Sequence, residues 1–380
     1  MPGSLIHEML RSREVEWLGA LRQLVEFESP SRDKPALDRL ADRLVEGAES
    51  FGGEVERFAN PSGGDHLLAR FFGRETSEKP ILILGHFDTV WPMGTLATMP
   101  FRVESGKAFG PGVFDMKASL ILVDFAIDSL RKLGLQPARP VELLLTSDEE
   151  IGSPTSRSLI EDRARASSHV LVVEPPLTDG SLKTARKGVG AFKIEVEGRP
   201  AHAGVEPEKG ISAIEELARL VLRLHDLNDP AAGISVNVGI IEGGTTPNVV
   251  AARASARIDV RARTQSQALV LEESIRSIAP GHPEAKLTIR GGFNRPPMER
   301  TPEVGRLFEL ARSLGQSIGL ELGEGSTGGG SDGNFTAALG LPTLDGLGCR
   351  GAGAHADHEQ VELESLPERA ALLALLLLNL

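Results

Sequence analysis

The chain has 380 residues, more than one ordinary compact core accommodates, so its length predicts two domains. Its 41 basic and 53 acidic residues give a net charge of −12, which disfavours non-specific binding to nucleic acid. A single cysteine, Cys349, excludes an internal disulfide and a thiolate zinc cluster, so any metal has to be held by His, Asp and Glu.

Both ends of the chain have the pattern of helices that do not enter a membrane. The N-terminal stretch MPGSLIHEMLRSREVEWL mixes charged and apolar residues at helical spacing and lacks the apolar core of a signal peptide. We therefore expect a cytoplasmic protein without a membrane partner. The C-terminal ALLALLLLNL is shorter than the roughly 20 apolar residues that span a bilayer, which favours a buried terminal helix.

The first part of the chain has the pattern of an α/β domain. Helical periodicity from Glu14 to Phe51, broken by the Ser-Pro-Ser of residues 29–31, predicts two helices. Continuous apolar runs then predict the buried strands HLLARFF (66–72), ILILGH (81–86), VELLLT (141–146) and HVLVVE (169–174). Because helical segments alternate with these runs, at 118–134 and 156–166, we expect a mostly parallel sheet with helices on both faces.

The pattern changes near Thr184, where strands begin to alternate apolar and polar residues, as half-exposed strands do. The order becomes strand, helix, strand, strand, helix, strand, which is similar to the split βαβ unit of ferredoxin-like domains. Further on, a helical TPEVGRLFELARSLG and a strand-like LPTLDGLG return to the earlier pattern. We predict one domain of residues 1–183 and 294–380, interrupted by a smaller α+β lid of residues 184–293.

Polar side chains stand at the carboxyl ends of the predicted buried strands, where open α/β sheets bind their ligands. These strand ends carry the side chains of His86, Asp88, Asp148, Glu149, Glu150 and Glu174. Two further candidates are Asp115, in a turn just before a helix, and His355, in the glycine-rich segment GAGAHADHE.

Carboxylates crowded at one edge of a sheet repel one another unless cations neutralise them. Two Zn²⁺ ions, each held by imidazole and carboxylate groups, meet this requirement, and Co²⁺ or Mn²⁺ are alternatives. We predict that Asp115 bridges the two ions and that the other ligands are His86, Glu150, Glu174 and His355.

Two acidic residues remain for other tasks. Asp88, two residues after His86, is positioned to accept the second ring N–H of that imidazole. Glu149 can take a proton from the attacking water and pass it to a leaving amine. Four other histidines, His7, His66, His225 and His282, are interpreted as structural or solvated, and His358 is a weak competitor of His355 for the metal.

Several motifs resemble those of the aminoacylase and carboxypeptidase G family of dinuclear zinc amidohydrolases, most closely the bacterial glutamate carboxypeptidases. They are GHFDTVWPMGTLATMPFRVESGKAFGPGVFDMK, TSDEEIGS, VEPP, GRPAHAGVEPEKG, TPNVVAARASARIDVR, GGGSDGNFTA and GAHADHE. The resemblance covers most of the chain from about Leu67 onward. It therefore implies this family's fold, activity and metal centre.

The resemblance implies the same ligands as the charge argument. One zinc is implied at His86, Asp115 and Glu174, and the other at Asp115, Glu150 and His355. A cis peptide bond is implied between Asp115 and the next residue. The roles of general base and of the residue that orients His86 are implied for Glu149 and Asp88.

The resemblance also assigns tasks to the lid, including formation of a homodimer. His202 in RPAHAG matches a histidine that, in family dimers, reaches into the partner's active site and polarises the scissile carbonyl. Contacts to the substrate carboxylate are implied for Asn248, Arg261 and Arg295, and the backbone near Gly329 offers N–H groups to the same anion. Because GGFNRPPM aligns ambiguously, Arg290 is an alternative to Arg295.

These features predict an enzyme that hydrolyses an amide bond next to a free carboxylate and releases a C-terminal amino acid of the glutamate type from N-acyl or peptidyl substrates. The main alternative is a deacetylase or desuccinylase of N-acyl amino acids such as acetylornithine. A serine hydrolase is a further alternative, because GGSDG fits a nucleophile elbow with Ser331, Asp345 and His355 in the right order. A non-catalytic binding protein is disfavoured because every ligand and the base are present.

Overall fold

The structure is a computed structural model that describes residues 2–75 and 77–380. Its contacts divide the chain into two units. The first unit runs to Ala185 and resumes with Arg300–Thr327 and Ser331–Leu380. The second unit consists of Arg186–Glu299 together with the short segment Gly328–Gly330.

The regular elements are numbered in chain order. The helices are α1 (Pro2–Ser12), α2 (Glu14–Glu26), α3 (Lys34–Ser50), α4 (Ala118–Lys132), α5 (Arg157–Ala166), α6 (Ala213–His225), α7 (Gln265–Arg276), α8 (Pro302–Gln316), α9 (Gly333–Ala338) and α10 (Ser365–Asn379). The strands are β1 (Glu54–Phe58), β2 (His66–Phe71), β3 (Ile81–His86), β4 (Arg102–Glu104), β5 (Lys107–Phe109), β6 (Val141–Thr146), β7 (His169–Val172), β8 (Leu182–Arg186), β9 (Gly188–Glu197), β10 (Ser235–Gly243), β11 (Arg253–Ala262), β12 (Lys286–Arg295), β13 (Glu324–Thr327), β14 (Thr343–Leu344), β15 (Gly351–Ala352) and β16 (Gln360–Glu362).

A six-stranded sheet in the order β1-β2-β6-β3-β7-β14 forms the centre of the first unit. The neighbours β6, β3, β7 and β14 are parallel, which confirms the predicted α/β class. The run HLLARFF differs from the expectation of a parallel strand, because β2 is antiparallel to both of its neighbours. Only seven residues, 59–65, join β1 to β2, and so short a connection suits an antiparallel pair.

Helices cover both faces of this sheet, which explains the continuous apolar runs in its strands. On one face, Leu82 and Leu84 of β3 belong to a core that includes Ile160 of α5 and Phe335 of α9. On the other face, the alternate residues of β3 join a larger core with α1, α2, α3, α4, α8 and α10.

Helix α10 lies within the larger core, as predicted for the apolar C-terminus. The side chains of Leu372, Leu373, Leu376 and Leu377 are all fully buried. Within residues 2–75 and 77–380, every helix is too short or too polar to cross a membrane.

The second unit has the predicted order of elements, β9-α6-β10-β11-α7-β12. Its strands form an antiparallel sheet in the order β10-β11-β9-β12, which is the strand order of a ferredoxin-like domain. Its core combines Phe192 and Ile258 from the sheet with Leu217 of α6 and Leu271 of α7. Helix α7 begins with a capping box between Thr264 and Gln267.

A small sheet in the order β15-β16-β5-β4 belongs to the first unit and was not predicted. Its strands have two or three residues each, too few to show a periodic pattern in the sequence. The pairing of Gln360 with Phe109 joins β16, which follows the segment of His355, to β5, which precedes the turn of Asp115.

Candidate active site and metal centre

The carboxyl ends of three parallel strands supply most of the candidate site. Strand β3 ends at His86, which pairs with Thr146 at the end of β6. A short 3-10 turn, Glu149–Ile151, follows β6 almost at once. Glu174 follows β7 on the other side of β3. The predicted strand ends therefore meet at one edge of the sheet.

All five predicted metal ligands converge at this edge. His86 Nε2 lies 3.2 Å from Asp115 Oδ1 and 3.5 Å from Glu174 Oε1. His355 Nε2 lies 3.1 Å from Glu150 Oε2 and 3.5 Å from Asp115 Oδ2. Asp115 therefore presents one carboxylate oxygen to each imidazole, which is the arrangement of a bridging ligand.

The residues of this edge fit a divalent cation. Glu150 Oε1 is buried and has no hydrogen-bond partner among the described residues, which is costly for a carboxylate unless a cation neutralises it. Ligand atoms of His86, Asp115 and Glu150 lie within 4.8 Å of one another, and so do those of His86, Glu149 and Glu174. Imidazole nitrogen and carboxylate oxygen are the donors that zinc uses in catalytic sites.

Hydrogen bonds to the neighbouring carboxylates raise the pKa of both imidazoles. Hydrogen bonds to Asp115 and Glu150 raise the pKa of His355 to about 10. Burial lowers the pKa of His86, but hydrogen bonds to Asp115, Asp88 and Glu174 outweigh this effect and raise the pKa well above its ordinary value. Burial raises the pKa of Glu150. Metal ligation needs neutral imidazole and ionised carboxylate, so a bound cation displaces these protons.

The turn that carries Asp115 contains the cis peptide bond that the resemblance implies, between Asp115 and Met116. Gly112, at the start of this turn, has a φ of +71° and lies close to Thr89, so a side chain there would be strained and would clash.

Asp88 contacts more than the prediction included. It is fully buried, and His86 Nδ1 lies 3.0 Å from its backbone oxygen but 3.4 Å from its carboxylate Oδ1. The carboxylate accepts the backbone N–H groups of Glu149, at 3.1 Å, and Glu150, at 3.2 Å. Asp88 therefore connects the end of β3 to the turn with the two glutamates.

Asp148 and His66 support the same turn. The Asp148 carboxylate accepts a backbone N–H, at 2.7 Å, and a hydroxyl, at 2.6 Å, from Thr155, and a further hydroxyl from Ser156. His66 is buried, and its Nδ1 accepts the N–H of Ser147 at 3.2 Å, in keeping with its interpretation as structural. The sequence marked Asp148 only as an acidic strand end, because its partners follow it by seven and eight residues in an irregular segment.

The second unit contains the lid residues named from the resemblance. His202 is exposed, and its Nδ1 accepts the N–H of Gly204 at 3.1 Å. Asn248 and Arg290 are also exposed, whereas Arg295 is buried.

Arginines surround the segment Gly328–Gly330 of the second unit. Arg261 donates to the Gly328 carbonyl at 3.2 Å, and buried Arg186 donates to the carbonyls of the next two glycines. The guanidinium of Arg261, which was expected to contact the substrate carboxylate, donates two hydrogen bonds to Asp259 at 2.8 Å. The two side chains meet because residues two apart on β11 share one face of the sheet.

The serine-hydrolase alternative is wrong. Ser331 is fully buried, and its hydroxyl donates to Asp345 Oδ2 at 2.7 Å. His355, the third residue of that scheme, contacts Glu150 and Asp115 instead. A catalytic triad needs the imidazole beside the serine hydroxyl, and these three side chains do not have that arrangement.

An α/β unit with clustered imidazole and carboxylate ligands beyond its parallel strands is typical of metal-dependent hydrolases. Residues 82–379 match peptidase family M20/M25/M40, and the chain belongs to this family. It is 32% identical over 370 residues to carboxypeptidase G2 of Pseudomonas sp. (strain RS-16), an alignment that covers 95% of this chain and 88% of the relative. The predicted family and the assignment as a metallopeptidase are therefore confirmed.

Solved structures share the fold. Aminopeptidase PepT from Bacillus cereus ATCC 10987 superposes with a TM-score of 0.80 at 21% identity, over 96% of this chain and 98% of that one. The M20 family metallo-carboxypeptidase Sso-CP2 from Sulfolobus solfataricus has a TM-score of 0.72 at 18% identity, over 96% and 99% of the two chains.

Proposed function

We propose that this metallopeptidase holds two Zn²⁺ ions per subunit and hydrolyses the amide bond next to a free carboxylate. It releases a C-terminal amino acid of the glutamate type from N-acyl or peptidyl substrates. One observation carries the two-metal assignment: the two oxygens of Asp115 face two different imidazoles, at 3.2 Å from His86 and 3.5 Å from His355.

Glu174 completes one ligand set and Glu150 the other, with Asp115 shared between them. When bound, the ions supply Lewis acidity that polarises the scissile carbonyl and makes water more acidic. Glu149 holds the proton that the attacking water loses and delivers it to the nitrogen of the departing amine. Asp88 accepts the backbone N–H of Glu149 at 3.1 Å and so orients this base.

The second unit binds the carboxylate of the substrate in this proposal. The positive charge around Gly328–Gly330 supports an anionic ligand, because Arg261 donates to the Gly328 carbonyl, Arg186 donates to the next two carbonyls, and the side chain of Arg295 lies beside Gly330. Arginine forks bind carboxylates in a bidentate manner. Asn248 is a further candidate contact on the same unit.

The proposal includes a homodimer through the second unit, with His202 of one subunit serving the site of the other. Strand β10 is at an edge of its sheet, and Ile240 and Ile241 on it are 46% and 57% exposed. Ile214 and Leu222 on α6 are also exposed. An apolar edge strand beside apolar helix residues supports pairing with a second copy.

The test combines metal analysis with a substrate panel. Protein depleted by a chelator is reloaded with Zn²⁺, Co²⁺ or Mn²⁺ and assayed on N-acyl glutamates, on dipeptides with C-terminal Glu or Leu, and on acetylornithine. We expect two ions per chain and the highest kcat/KM for C-terminal glutamate. One ion per chain would contradict the two-metal assignment, and a preference for acetylornithine would contradict the substrate class.

A further inference from the structure

A buried glutamate outside the predicted ligand set contacts the turn that carries Asp115. Glu359 is fully buried within the first unit. Its Oε1 accepts two N–H groups at 2.8 and 3.0 Å, and its Oε2 accepts two more at 2.8 and 2.7 Å. The donors are the backbone N–H groups of Phe114, Asp115 and Gly112 and the indole N–H of Trp91.

The backbone of Glu359 is also hydrogen-bonded to the segment that carries His355. The Glu359 N–H donates to the carbonyl of Ala356 at 2.9 Å, and the Ala356 N–H donates to the carbonyl of Gly353 at 2.8 Å. His355 lies within the first of these turns, residues 353–356, with a left-handed φ of +63°. Glu359 therefore joins the segments of two predicted ligands, one through its side chain and the other through its backbone.

The arrangement suits a carboxylate and no other side chain of this length. Three backbone N–H groups of one turn converge on its oxygens, as in the anion-binding nests of peptide backbones. A carboxylate has acceptor sites for all four donors on its two oxygens. A glutamine would direct its NH₂ group at two of these donors and leave buried N–H groups unpaired, which is costly.

We propose that Glu359 is a positioning residue of the metal centre, which acts through Asp115. By holding the turn of Asp115 against the segment of His355, it keeps Asp115 Oδ2 and His355 Nε2 together as ligands of one ion. This inference rests on the proposed two-metal centre. Residues that orient metal ligands typically change metal affinity by about 10- to 100-fold when they are replaced.

The test compares wild type, Glu359→Gln and a matched control, Asp357→Asn. Asp357 lies in the same segment, its side chain is 99% exposed, and the control removes the same charge. Each apoprotein is titrated with Co²⁺, whose absorption reports ligand number, and the two dissociation constants are obtained by competition with a chelator. Thermal unfolding of the apoproteins is recorded in parallel.

We expect two Co²⁺ sites in wild type and in the control. Glu359→Gln should weaken the site of Asp115 and His355 by roughly 10- to 100-fold and the other site, which shares Asp115, by less, with saturating metal restoring the wild-type spectrum. Unchanged affinities in Glu359→Gln would overturn the positioning role, whereas a single site in wild type would contradict the two-metal proposal itself.

A second variant covers the case in which Glu359→Gln does not fold. Trp91→Phe removes one of the four donors, the indole N–H at 2.7 Å, and leaves the carboxylate in place. Its side chain is only half-buried, so the fold should tolerate the change. We expect a smaller loss of affinity at the same site, and no loss would overturn the proposal.

Discussion

Two adjacent glutamates have the same side chain but different surroundings. Glu150 Oε2 lies 3.1 Å from His355 Nε2, and its other oxygen is buried. Glu149 groups instead with His86 and Glu174, whose ligand atoms lie within 4.8 Å of its own. Glu150 therefore lies beside the predicted ligand His355, and Glu149 lies beside the predicted ligands His86 and Glu174, where the proposed base has to act.

Replacing Glu149 by Gln tests this division of labour. The amide keeps the size of the side chain but cannot accept the proton of the attacking water, so we expect kcat to fall by roughly 10²- to 10⁴-fold. Metal content and KM should stay near the wild-type values. Steady-state kinetics and metal analysis are the measurements, with Glu150→Gln as the comparison, which should lose metal. Near-normal turnover in Glu149→Gln would refute the assignment of the base.

Asp88 connects β3 to the catalytic turn, and its replacement should affect stability as well as rate. The Asp88 carboxylate accepts the backbone N–H groups of Glu149 and Glu150. In Asp88→Asn, the side-chain NH₂ group replaces one of the two acceptor oxygens, so one of these N–H groups loses its acceptor. An unpaired buried donor costs about 1–3 kcal/mol, so the free energy of unfolding in urea should fall by that amount. Lower kcat with unchanged stability would mean that Asp88 acts on His86 alone.

At the scale of elements, the strands buried on both faces were the easiest to predict from sequence. Apolar runs such as ILILGH and VELLLT, in a chain with helices between them, predict strands of a parallel sheet that is covered on both faces. Strands β3 and β6 match these two runs residue for residue. The parallel sheet then required their carboxyl ends to meet, so the convergence of His86 with the glutamates followed from topology.

Other contacts left no trace in any local pattern. The strands β5 and β16 have three residues each, so the sequence did not indicate that they pair. Without that pairing, nothing linked Glu359 to the turn of Asp115, which precedes it by 244 residues. The engagement of Arg261 by Asp259 was likewise missed, because the resemblance supplied a substrate contact and no packing partner.

Helix α4 carries a carboxyl group that should make stability depend on pH. Burial raises the pKa of Asp124 from 3.8 to about 7, against the opposing effect of Arg43. The folded protein therefore binds a proton that the unfolded chain releases near pH 4. Stability from this group is complete below pH 4 and is lost as pH rises toward 7.

Asp124→Asn removes this penalty, because the amide stays neutral at every pH. At pH 8 we expect the free energy of unfolding in urea to be higher in the variant than in wild type, by on the order of 1–3 kcal/mol. At pH 5 this difference should be smaller. Asp162→Asn on α5 is the control, since that side chain is 71% exposed and its ion pair contributes little. An equal gain at both pH values would show that the pKa of Asp124 is ordinary.

At the scale of the whole molecule, strand β10 is one of the two edge strands of the sheet in the second unit. Ile240 and Ile241 lie on that edge, in strand β10, and both are largely exposed. Their exposure means that polar replacements should leave the core of this unit intact. Ile241→Lys should therefore shift sedimentation from dimer to monomer without lowering the unfolding temperature.

The proposed dimer makes it possible to learn which subunit supplies His202. Glu149→Gln and His202→Ala should each be nearly inactive, the first without the proposed base and the second without the imidazole proposed to polarise the carbonyl. If His202 serves the partner's site, a hybrid dimer has one complete site, in which Glu149 belongs to the His202→Ala subunit and His202 to the other. When the two variants are combined in equal amounts and their subunits assort at random, half of the dimers are hybrids. Each hybrid has one active site out of two, so the mixture should recover about a quarter of wild-type activity. If His202 serves its own subunit, every site in the mixture lacks one group and activity stays at the level of the separate variants. Adding Ile241→Lys to both chains should abolish the recovery, because the hybrid then cannot form.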